Sequence, residues 1–118
     1  MRALLAAALV FACTGAAAQQ WASELKGSPA EVFTEEDNRL FFDTIRLALE
    51  REDDQALVWE NPKTGHRGDA QALKRFESHG RPCKEIEFHA EAQGRKGHGS
   101  MNYCQIEGEW KLLGDSQL

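Results

Sequence analysis

Within the stretch Pro82 to Trp110, two pairs of residues have types and spacing that can do chemistry: Cys83 with Cys104, and His89 with His98. Two thiols can close a disulfide, hold a soft metal or act as a nucleophile. Two imidazoles near Glu87 and Glu91 can bind zinc or copper. Which chemistry applies depends on the compartment and on how the chain brings each pair together.

The N-terminus bears on the compartment. MRALLAAALVFACTGAAAQQ has a basic Arg2, an apolar run from Ala3 to Ala12, and Ala16 and Ala18 at A-x-A spacing. This is the pattern of a secretory signal peptide over residues 1–18, with cleavage after Ala18. The run falls short of the ~20 apolar residues that span a bilayer. Val10-Phe11-Ala12-Cys13 loosely resembles a lipoprotein signal, which would make Cys13 an acylated anchor. The expectation is an exported protein of the periplasm or cell envelope. The alternative is an outer-membrane lipoprotein held through Cys13, and only then is a membrane a partner.

The chain carries 14 basic and 19 acidic side chains, for a net charge of −5. Its lysines and arginines are interspersed with acids and form no basic face, so nucleic-acid binding is set aside.

Residues 19–33 are weakly patterned around a Gly27-Ser28-Pro29 breaker and read as a flexible leader. The folded domain is then expected over 34–118. Thr34 is a good helix N-cap, and Glu35, Glu36 and Asp37 complement the positive end of the helix dipole. Asp37 stands where Glu or Gln would complete a capping box, a partial match. Phe41, Phe42, Ile45, Ala48 and Leu49 fall on one stripe of a helix that ends between Arg51 and Asp54. Such a stripe needs a sheet to lie on. Strands are predicted over 56–60, 66–76, 84–92, 97–105 and 109–113, separated by Gly- and Pro-containing turns, with Gly68 as a bulge or a point of close approach. Short turns between successive strands imply an antiparallel meander.

If Cys83 faces Cys104, paired residue numbers sum to 187. Ile86 then faces Met101, and Ala92 faces Arg95 across a two-residue Gln93-Gly94 turn, as a tight hairpin requires. Pattern, turn and cysteines agree on this register. An even cysteine pair in a small exported chain reads as a structural disulfide. The same register sets His89 opposite His98, a candidate metal pair. The plainer reading of that face is the wet side of a one-sided sheet. Other groupings carry less. Asp53-Asp54 are solvated carboxylates, and the adjacency of Ser78 and His79 says little because triads assemble in space. Neither Thr64-Gly65 nor Gly94-Arg95-Lys96-Gly97 has the strand–loop–helix setting of a phosphate loop. No cofactor is implied.

Trp59-Glu60-Asn61-Pro62-Lys63-Thr64-Gly65-His66-Arg67-Gly68 resembles the W-x-N-P-x-T-G-x-x-G stretch of the 17 kDa bacterial surface-antigen family. Cys83-Lys84-Glu85, Tyr103-Cys104 and Gly108-Glu109-Trp110 resemble that family's C-R-x-[FY], x-C and D-G-x-W elements, in order. Lys84 and Glu107-Gly108 depart mildly from the family pattern. The glycine-zipper region and clear lipobox of many members are missing. The resemblance implies a helix-plus-sheet envelope domain and adds no active site.

The resulting expectation is an α+β domain, one amphipathic helix on a four- to five-stranded antiparallel sheet with one disulfide. Its expected function is that of a non-enzymatic envelope module binding a protein partner through the sheet face or through the loop containing Trp59, Asn61, Pro62, Thr64, Gly65 and Gly68. The alternative is a small periplasmic ligand or metal binder using His89 and His98.

Overall fold

The computed structural model describes residues 27–113. The expected signal peptide, Cys13 and residues 19–26 of the leader lie outside them. A 3-10 turn, Pro29–Val32, leads into helix α1, Glu35–Glu50. Five strands follow: β1 Leu57–Glu60, β2 Arg67–Ser78, β3 Arg81–Ala92, β4 Arg95–Ile106 and β5 Glu109–Leu112. They form one antiparallel sheet in the order β1-β2-β3-β4-β5. This is the expected α+β meander with its helix on one face.

Alternation along the strands divides the sheet into an inner face under α1 and an outer face that α1 leaves uncovered. Ala70, Ala72, Ile86 and Tyr103 point inward and meet Ile45, Ala48 and Leu49 of α1 in the buried core. Ile86, at 0 % exposure, sits at its centre. The helical stripe is narrower than expected. Phe41 packs edge-on against Phe88 with ring centres 5.2 Å apart, whereas Phe42 points outward and is 54 % exposed. The small inward residues Ala70 and Ala72 let α1 approach β2 closely, so one aromatic of the helix, Phe41, fills the space.

The β3–β4 register is the one derived from the cysteines, running from Cys83↔Cys104 through His89↔His98 to Ala92↔Arg95. The cysteines are bonded, with Cα atoms 4.0 Å apart. Three hairpins share one turn chemistry. His79-Gly80, Gln93-Gly94 and Glu107-Gly108 each have positive φ at both positions, which matches the right-handed twist of the flanking strands. The first of these turns is tighter than expected. Ser78 and Arg81–Pro82 belong to strands, and Pro82 pairs with Glu77 one residue beyond the β3–β4 ladder, where its missing N–H breaks no ladder bond. The bulge falls at Leu73, between Ala72 and Lys74, and not at Gly68.

Gly68 is instead the point of close approach. A Cβ built there would clash with the backbone carbonyl of His89 and lie 2.6 Å from the Trp59 indole nitrogen. Trp59, 5 % exposed, thus lies over a strand that must have no side chain at this position. Gly68→Ala is expected to cost about 2 kcal/mol, since backbone cannot yield as a flexible side chain does. Urea unfolding would measure it.

The leader is shorter than expected. Pro29 is buried against Gly97, and Phe33 meets the Trp59 ring edge-on with centres 5.4 Å apart. Arg95 adds an ion pair to Glu31 at 3.7 Å. Residues 29–33 therefore belong to the folded body, because Pro29 and Phe33 cover an end of the inner face that α1 does not reach.

Candidate functional site

Two Asp–His pairs stand on opposite sides of the sheet. The first is built on Asp37, which lies in phase with Phe41 and Ile45 on the buried stripe and is fully buried. Its Oδ2 accepts from the Thr34 backbone N–H at 2.8 Å and from His66 Nδ1 at 2.7 Å. Its Oδ1 accepts from Asn61 Nδ2 at 2.8 Å and from the Thr64 hydroxyl at 2.9 Å. The Asp37 N–H returns a bond to Thr34 Oγ1 at 3.2 Å, so the capping box expected as partial is complete. Burial alone would raise the carboxyl pKa. The bonds from Thr34, His66, Asn61 and Thr64 outweigh it and hold Asp37 well below the usual carboxylate range.

The Asn61–His66 loop is folded to present those donors. Asn61 Oδ1 accepts from the Lys63 N–H, the Asn61 carbonyl accepts from Thr64 and Gly65 N–H, and Gly65 supplies the positive φ. The loop expected to meet a partner therefore turns Trp59, Asn61 and Thr64 of its motif inward. Trp59 and Asn61 are buried and Thr64 is half-buried, while Pro62 and Lys63 are exposed. The W-x-N-P-x-T-G-x-x-G pattern describes how this loop is locked to the helix N-terminus.

The other helix end is held in a related way. The last turn of α1 has no basic residue of its own. Lys84, from the inner face of β3, donates to the carbonyls of Leu49 at 2.6 Å and Arg51 at 2.8 Å, and lies 5.3 Å from the centre of the Trp110 ring. A cation thus meets the negative end of the helix dipole. Burial, with Arg75 nearby, pushes the Lys84 pKa down.

The second Asp–His pair is on the outer face. His89 Nδ1 lies 2.9 Å from Asp69 Oδ1, and His89 Nε2 lies 3.6 Å from Glu87 Oε1. The Asp69 hydrogen bond raises the His89 pKa. His98 faces it across the hairpin, ring centres 6.0 Å apart with the planes at 37°. Alongside runs an Arg67–Glu91 ion pair at 3.1 Å. Val58, Arg67, Asp69, His89, Lys96 and His98 are among the residues lining an open cleft of about 680 Å³. Among the described residues, no three His, Cys, Asp or Glu side chains gather as a ready-made metal site.

The structure thus brings His89 and His98 together and adds Asp69, which the sequence reading missed. It also adds Asp37 and Lys84 as the two anchors of the helix. Their signal was available, since each charge falls in phase with a buried face. No protein-family model matches this chain, and no curated protein or solved structure is detectably similar to it.

Proposed function

We propose that this chain is an exported cell-envelope module that binds a protein partner through the outer face of its sheet and has no enzymatic activity. The carrying observation is the one-sided architecture: α1 and the 3-10 turn cover the inner face, and the outer face is left open with Val58 82 % exposed. Its central strand presents Glu85, Glu87 and Glu91 outward; among the described residues Glu91 pairs with Arg67 and Glu87 lies beside His89, while Glu85 has no ion pair. The complementary partner is a protein surface carrying lysine or arginine around an apolar residue that seats on Val58.

Three further points support this reading. The inward turn of the 59–68 loop favours the sheet over the loop as the contact surface. Asp37 and His66 have the residue types of an acid–base dyad, but Asp37 is saturated by loop hydrogen bonds, which favours binding over catalysis. The signal-like N-terminus, the disulfide and the resemblance to 17 kDa surface antigens support a periplasmic or envelope location, with anchoring through Cys13 as the alternative.

A photocrosslinker at Ser100 on the outer face, compared with one at Arg46 on the exposed side of α1, tests this in intact cells. The expected result is a single crosslinked protein from Ser100, lost on Glu85→Lys with Glu87→Lys and weakened by salt. Equal crosslinking from Arg46, or persistence after the double charge reversal, would overturn the proposal.

A further inference from the structure

We propose that His89 and His98 form a two-imidazole chelate for a borderline divalent cation, Zn²⁺ or Cu²⁺, on the outer face of the sheet. The two residues are direct partners in the β3–β4 ladder. His89 is an even number of residues along β3 from Cys83, so the histidines occupy the same kind of paired position as the cysteines, where opposed side chains lie closest. A metal–nitrogen bond of about 2.0–2.1 Å puts two rings that share one ion roughly 5–6.5 Å apart, centre to centre. The observed separation is 6.0 Å.

The surroundings prepare His89 as a ligand. As a carboxylate Asp69 can only accept, so Nδ1 carries the hydrogen of that bond and Nε2 is the nitrogen available to a metal. A carboxylate behind a ligating imidazole fixes its tautomer and raises its basicity. Glu87 Oε1 sits 3.6 Å from Nε2, close enough to face a cation bound at that nitrogen in place of its proton. The protein supplies two nitrogens, and water or a partner fills the remaining positions. Such a site binds more weakly than a closed structural site. Metal binding here does not depend on the partner proposed above.

Calorimetric titration of the purified full chain with Zn²⁺ and with Cu²⁺ tests the site, using His89→Ala, His98→Ala, Asp69→Asn and, as a control, His79→Ala. One equivalent of metal is expected. Each of the first two variants should weaken binding at least ~10-fold, and Asp69→Asn by ~10-fold, at the low end for loss of such a support. His79→Ala should leave binding unchanged. Both histidines are exposed, so the variants should fold, and unchanged unfolding curves without metal would verify it. No saturable binding, or binding lost in only one of the two histidine variants, would overturn the proposal.

Discussion

Replacing Asp37 with alanine is expected to destabilise the domain by about 4 kcal/mol, measured by urea unfolding at neutral pH. The carboxylate is the common acceptor for the Thr34 N–H, Asn61, Thr64 and His66. Its removal leaves four donors without their acceptor around a fully buried position. A single buried donor left unsatisfied costs about 1–3 kcal/mol, and hydrogen bonds to a charged acceptor lie at the upper end. The costs do not add, because the loop can relax once its anchor is gone. Asp37→Asn keeps the shape and one acceptor oxygen and turns an amide donor toward existing donors. Its loss should be smaller and should report the charge.

The same residue sets an acid limit. The folded-state pKa of Asp37 lies below its ordinary value, so the unfolded chain binds this proton more readily than the native domain. Its stabilisation is therefore fully present above pH of about 4. It is lost as pH falls from there through the depressed folded value. The wild-type stability curve should drop across this acidic range, and the Asp37→Ala curve should be flatter. Parallel curves would show that other carboxylates govern acid unfolding.

Removing the disulfide by Cys83→Ser with Cys104→Ser is expected to cost about 3 kcal/mol, the chain-entropy estimate for a loop of this size. The bond spans 21 positions and joins β3 to β4, two of the three long strands. Both sulfurs are buried, so two hydroxyls in their place also leave polar groups in a dry site. Cys83→Ala with Cys104→Val separates these effects by removing the bond without adding hydroxyls. If that variant matched wild type in urea, the bond would contribute nothing to stability.

Most of the sheet was legible in the sequence because its cues are local. Alternation of Ile86, Phe88, Ala90 and Ala92, two-residue glycine turns and one cysteine pair set the register without reference to the rest of the chain. Three features were less legible. Pro29 and Phe33 look like linker residues until an uncovered end of the sheet needs them. Phe42 follows helical periodicity, but the width of the buried stripe is set by Ala70 and Ala72 on another element. The 59–68 motif has the composition of an exposed turn, and its inward direction depends on Asp37, more than twenty residues earlier. For the candidate site, the His89–His98 pairing followed from register, whereas Asp69 came from a strand whose phase was shifted by the Leu73 bulge.

The two anchors of α1 have a consequence for folding. The N-terminal carboxylate is held by the loop after β1, and the C-terminal carbonyls by a lysine on β3. The two helix ends are both complete only once β1 to β3 are in place. The ends of a helix ordinarily fray and exchange their amide hydrogens well before the middle. Here both terminal turns are expected to exchange with nearly the protection of the sheet core, as parts of one opening event. Lys84→Met should release the last turn alone, so that the amides near Leu49 exchange early while those near Asp37 remain protected.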